Sequence, residues 1–114
     1  MTPYPSATHK IRSPHMSAAV YVTIVNDPDY SKIVYVGVHS KDLTQYQGVS
    51  GILSLLNHIL ETSEEFPTQA IKELLDNHDP GGSYFIKGGK QVNSLIHHIG
   101  ELLKTHCKVL GIEI

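Results

Sequence analysis

The sequence predicts a single small α+β domain of order β-β-α-α-β-α-β, in which a mixed sheet of about four strands is flanked by helices. Three observations carry that expectation. Two stretches, 20–25 and 33–38, alternate along the chain with a period of two and are rich in β-branched residues. Residues 92–103 instead place Val92, Leu95, Ile96, Ile99, Leu102 and Leu103 at the i, i+3, i+4, i+7 spacing of a helix. At 114 residues, 40% hydrophobic and 18% charged, the chain can bury one core and has no length for a second.

The elements follow in order. Residues 1–15, MTPYPSATHKIRSPH, are Pro- and Ser-rich, so they read as a disordered leader or cloning remnant ahead of a domain spanning 16–114, with a short basic arm around Lys10 and Arg12 as the alternative. In AAVYVTIVND, Val20, Val22 and Ile24 alternate with Tyr21, Thr23 and Val25, which predicts a strand. DPDYSK supplies turn residues, and KIVYVGVHS repeats the alternation, so the two strands are expected to form an antiparallel hairpin. After a polar loop, Val49, Ile52, Leu53, Leu56, Ile59 and Leu60 mark a helix, with Leu55 widening its stripe. A shorter helix follows Pro67 and stops at the Asp79–Gly82 turn. SYFIK predicts a short strand, 88–107 the clearest helix, and KVLGIEI a last strand.

Composition bounds the function. The formal charge is −2 and the pI about 6.4, so no global positive field exists for nonspecific coating of DNA. Eight histidines would reverse that sign if half were protonated, so affinity for a polyanion should rise in mild acid. Cys107 is the one cysteine, which excludes an internal disulfide and a thiolate zinc cluster and fits a reducing, intracellular compartment. No apolar run reaches the roughly 20 residues of a membrane span, so no membrane partner is expected.

The strand-turn-strand VYVTIVND…KIVYVGVHS followed by Tyr46, Gly48, Ser50 and Gly51 resembles the start of a GIY-YIG nuclease domain of the phage-borne type over residues 20–66. Ala19-Val20-Tyr21 stands at the GIY element, Tyr35-Val36-Gly37 at YIG, and His39 at the histidine that follows. The resemblance implies a metal-dependent endonuclease of DNA or RNA, with Tyr21, Tyr35 and His39 around the scissile phosphate and Glu101 holding Mg2+ or Mn2+. The family's helix arginine is absent, because residues 13–114 contain no Arg. Lys41 and His58 are the cations that could substitute, although neither offers the planar fork of a guanidinium.

Plainer roles compete at each position. Tyr21 and Tyr35 suit any half-buried strand face, Gly37 suits close approach of a helix, and Glu101 suits a solvated pair with Lys104. A second constellation, Lys87-Gly88-Gly89-Lys90 between a strand and a helix, would aim backbone N–H groups and two ammonium groups at an anion. Two function classes therefore remain. One is the endonuclease. The other is a noncatalytic domain recognising a phosphate-bearing ligand or a protein partner, with homodimerisation through an exposed strand included.

Overall fold

A computed structural model describes residues 4–29, 31–79 and 81–114. The first three residues of the leader, Tyr30 of the turn after the first predicted strand and Pro80 of the Asp79–Gly82 turn lie outside the described residues. The chain is a small α+β domain of order β1 (Ser6–Ile11), β2 (Val20–Asn26), β3 (Ile33–Ser40), α1 (Leu43–Thr62), α2 (Thr68–Leu75), β4 (Tyr84–Phe85), β5 (Gln91–Val92) and α3 (Leu95–Val109). Its strands form two antiparallel sheets, β1-β2-β3 and β4-β5, and not one mixed sheet.

The leader is the largest correction. Residues 6–11 are not disordered: they pair with β2 from Ser6↔Val25 to Ile11↔Val20 and bury Ile11. Only Ile11 on this segment is large and apolar, so its intrinsic pattern is weak, and the free edge of β2 supplies the reason to pair. β2 and β3 form the expected hairpin, with Tyr21 opposite His39 and Val25 opposite Tyr35.

Because facing residues share a side of the sheet, this register sorts every side chain. Val20, Val22, Ile24 and Val36 point to one side and are buried with Leu53, Leu56, Ile99 and Leu103 in a single cluster. Lys10, Tyr21, Thr23, Tyr35 and His39 point to the other, which no helix of the described residues covers and where all but Thr23 are exposed.

α1 begins about two turns earlier than its apolar stripe predicts. Asp42 is its N-cap, accepting the Gln45 N–H at 3.1 Å, so Asp42-x-x-Gln45 is a helix-start pattern hidden by the loop-like Gly48 and Gly51. Leu55 does not widen the buried stripe; it is 63% exposed. Asn57 of α1 is a backbone mimic. Its amide donates to the Val36 carbonyl at 2.9 Å and its oxygen accepts the Val36 N–H at 2.8 Å, which closes one rung of the β3 edge.

Two further corrections concern the C-terminal half. Val92 lies in β5, not in the helix, and Ser94 caps α3 by accepting the His97 N–H at 3.0 Å. The terminal segment is no strand: Gly111, at φ +81°, ends α3 with Ile112 N–H donating to Cys107 at 2.8 Å and Gly111 N–H to Lys108 at 3.2 Å. That is a Schellman closure, which glycine permits because it lacks a Cβ. Cys107 is fully buried, and burial pushes its thiol up to about 11, so it behaves as a small hydrophobe.

α2 and α3 meet at Gly100. A Cβ there would lie 3.0 Å from Leu74 Cβ and 3.1 Å from the Leu75 nitrogen, so the helices depend on its absence. Gly100→Val is expected to lower the unfolding free energy by about 1–3 kcal/mol, the usual cost of overpacking a close contact. Urea titration of the two proteins measures it, and unchanged stability would mean that α2 is not held against α3 as described.

Candidate functional site

The open face of the three-stranded sheet carries a cationic concavity. Lys10, Tyr21 and His39 occupy one row across β1, β2 and β3. Neighbouring strands are about 4.8 Å apart, so these three side chains are adjacent. Ile11, Val20 and Ser40 form the next row, which places Arg12 just beyond β1 and Lys41 just beyond β3 at the same end of the sheet. Lys10, Arg12, Lys41, Tyr21 and His39 line a hollow of about 320 Å³ with Ser17, Ala18 and Ala19. None of the described residues lining it is acidic.

Asp42 is the nearest carboxylate in sequence, and its oxygens are already engaged. One accepts the Ser17 N–H at 2.8 Å and the other caps α1. Those backbone donors, Ser17 first and then Gln45, hold its carboxyl below the ordinary carboxylate value. Ser40 Oγ donates to the Ala19 carbonyl at 2.9 Å, fixing the same segment against the end of β3. The floor of the hollow is thus tied to α1 and β3.

The residues anticipated for catalysis do not gather in one place. Tyr21, His39 and Lys41 do come together. Tyr35 lies at the other end of β3, where it borders a groove of about 900 Å³ along the strand edge together with Tyr46, Ser50, Ser54 and His58. His58 therefore shares a groove with Tyr35 and does not line the hollow that holds Lys41. Tyr46, Gly48, Ser50 and Gly51, anticipated as a loop, are all helical residues of α1. Gly37 admits no helix: a Cβ there would sit 2.9 Å from Tyr35 Cε1, so its absence makes room for the tyrosine ring.

Glu101 is on α3, on the covered side of the sheet, and is held by two partners. Lys90 Nζ lies 2.9 Å from one oxygen and His97 Nε2 3.1 Å from the other. His97 Nδ1 accepts the Asn93 N–H at 2.9 Å, so Nε2 carries the proton directed at Glu101. Partial burial would raise the Glu101 pKa, but the hydrogen bonds from Lys90 and His97 and the Lys90 charge outweigh it and the carboxyl sits below its ordinary value. Among the described residues, no three His, Cys, Asp or Glu side chains gather as a metal-ligand group.

Lys87, Gly88, Gly89 and Lys90 do not lead into a helix. They form the tip of the β4-β5 hairpin, with Gly88 and Gly89 at φ +92° and +80°, and α3 starts only at Leu95. The Gly89 N–H donates to the Ile86 carbonyl at 3.1 Å and Lys90 is paired with Glu101, while exposed Lys87 forms no ion pair among the described residues. Lys10 and Arg12 enter the sequence reading only as the alternative of a basic arm and not as site residues, because their segment reads as a disordered leader. The signal was Ala7, His9 and Ile11 alternating with Thr8 and Lys10. Among the described residues, no helix is long and apolar enough to cross a membrane.

Under the sheet, His98 accepts or donates at Nδ1 to the Tyr84 hydroxyl at 2.7 Å, and His106 Nε2 lies 2.6 Å from Asn26 Oδ1. Burial lowers the pKa of both; nearby His97 and His9 add to this at His98 against Glu101, and His9 adds to it at His106. The unfolded chain therefore takes up these protons first. Stability is full above the ordinary histidine value of 6.5 and declines as pH falls from there towards the folded values. Denaturant melts from pH 7 to 5 should show that decline, and a His98→Gln, His106→Gln double variant should flatten it. Glu101, depressed in the fold, contributes a separate decline only below its ordinary value of 4.5, which Glu101→Gln should remove. No family model, no curated protein and no solved structure matches the chain.

Proposed function

We propose that the chain is a noncatalytic binding module that recognises a phosphate-bearing polyanion through the Lys10, Arg12, Lys41 hollow on the open sheet face. One observation carries the reading: three permanent cations line a single concavity, with no acidic group among its described lining residues, in a protein whose formal charge is −2. Local fields decide binding when they are concentrated in this way, because a cleft of one sign raises the local concentration of counter-ions. Arg12, the chain's one arginine, supplies a planar donor fork suited to phosphate.

The endonuclease alternative asks for Glu101 beside the tyrosines. Glu101 instead lies across the sheet, engaged by Lys90 and His97, and Tyr35 lies four residues along β3 from His39. A residue that holds a catalytic metal has to share a surface with the phosphate it activates. The binding reading makes no such demand.

Displacement of a dye-labelled polyphosphate chain and anisotropy of a labelled single-stranded oligonucleotide test the proposal together. Arg12→Ala and Lys41→Ala are each expected to weaken binding about tenfold, the scale of one charge-assisted contact, and to lower the salt slope for the oligonucleotide by about 0.7. Glu101→Ala should bind like the parent. The oligonucleotide should be recovered intact after incubation with magnesium or manganese. Metal-dependent cutting that Glu101→Ala abolishes would overturn the noncatalytic reading in favour of the nuclease.

A further inference from the structure

Beyond its charge, the open face carries aromatic surface. The Tyr35 ring leans along β3 over Gly37, since the position of a Cβ at residue 37 falls 2.9 Å from Cε1 and 3.5 Å from the hydroxyl. The ring fills the space that a side chain at residue 37 would take, yet the residue remains 51% exposed. It therefore offers a supported ring to solvent. Side chains two residues apart on one face of a strand are about 7 Å apart, so the ring over Gly37 lies one such step from the Tyr21 and His39 row and its cationic hollow.

Thr23 faces Gly37 on β2, and its hydroxyl lies 3.0 Å from that of Thr8 on β1. The middle of the face is thus small and polar, leaving a path from the cations to the ring. The outward positions of the three strands include no acidic residue.

Resting on the anion-binding reading above, we propose that the polyanion is single-stranded nucleic acid, with phosphates in the Lys10, Arg12, Lys41 hollow and a base stacked on Tyr35. A polymer that alternates phosphates with flat π-faces satisfies both features at once. In a duplex the base faces are buried in the stack, whereas a single strand presents them to an aromatic platform. Stacking on a ring needs no base-specific hydrogen bond, so the interaction tolerates different sequences.

The test compares three labelled ligands of equal length and label: an oligothymidylate, an abasic strand with the same phosphates, and a duplex. The parent protein should bind the oligothymidylate roughly 5- to 150-fold more tightly than the abasic strand, the range for loss of one stacked base. It should also prefer the oligothymidylate over the duplex. Tyr35→Ala should bring the oligothymidylate down to the abasic level without changing the salt slope, and Tyr35→Phe should restore it. Gly37→Val, which displaces the ring without removing it, should resemble Tyr35→Ala. Equal binding of abasic strand and oligothymidylate, or of duplex and single strand, with Arg12 still required, would overturn the stacking proposal and leave the anion site standing. Failure of polyphosphate and all three ligands to bind the folded protein would overturn both.

Discussion

The Asp42 carboxylate is the tie on which the functional face depends. It holds two pieces of chain that would otherwise be independent: the Ser17 backbone ahead of β2, and the first turn of α1 after β3. Lys41 sits immediately before that carboxylate, while Lys10 and Arg12 reach the same hollow from β1. Bringing three cations together costs repulsion, and folding tolerates it only where the backbone is fixed by other interactions. Asp42 provides that fixation and remains 7% exposed, so its own negative charge is turned into the junction. Loss of this one side chain would remove a cap, a loop anchor and the geometry of the site together.

A second constraint is that only one side of the sheet is covered. With β2 in the centre, pairing to both neighbours is complete, and its side chains alternate strictly between core and solvent. The helices bury the Val20, Val22, Ile24 side, and Asn57 closes a rung at the β3 edge with a side-chain amide. The opposite side is free of packing duties. Tyr21, Tyr35 and His39 are therefore available for a ligand because Val22, Ile24 and Val36 carry the core.

Much of this was legible in the sequence, and the failures share a cause. The β2-β3 hairpin, α2 and most of α3 announced themselves through strong local periodicity, which burial in a one-core domain enforces. β1 did not, because its pairing partner supplies the drive: SATHKI has one large apolar residue and is a strand mainly because β2 has an edge to fill. The same segment carries Lys10 and Arg12, so reading it as a leader conceals two of the three cations of the hollow. Tyr21 and His39 are singled out by the resemblance, and Lys41 as a substitute for its missing arginine, each for catalysis and not for an anion-binding hollow. Tyr35 and Glu101 were named, but a resemblance in order could not reveal that the register puts Tyr35 at the far end of β3 or that α3 holds Glu101 on the covered side. Gly111 ended a helix where alternation of Leu110, Ile112 and Ile114 had suggested a strand, since period two over so few residues does not distinguish a strand from a helix exit.

The two basic clusters of the molecule show why charge must be read with its neighbours. Lys87 and Lys90 flank two glycines, the more anion-like pattern in one dimension, yet the fold turns them into a hairpin tip and sets Glu101 against Lys90 at 2.9 Å. One of the two charges is thereby compensated, and the Gly89 N–H is spent on the turn itself. Lys10, Arg12 and Lys41 are spread over 32 residues of sequence and form no motif, but the register collects them where the nearest carboxylate in sequence is occupied by backbone N–H donors. A phosphate entering that hollow meets cations that no described acidic lining residue offsets. Such a field is screened over about 8–10 Å at moderate ionic strength, so it acts on a ligand at contact distance even though the whole protein is weakly negative. On the proposed reading, the net charge would govern approach from afar and the sheet face what stays bound.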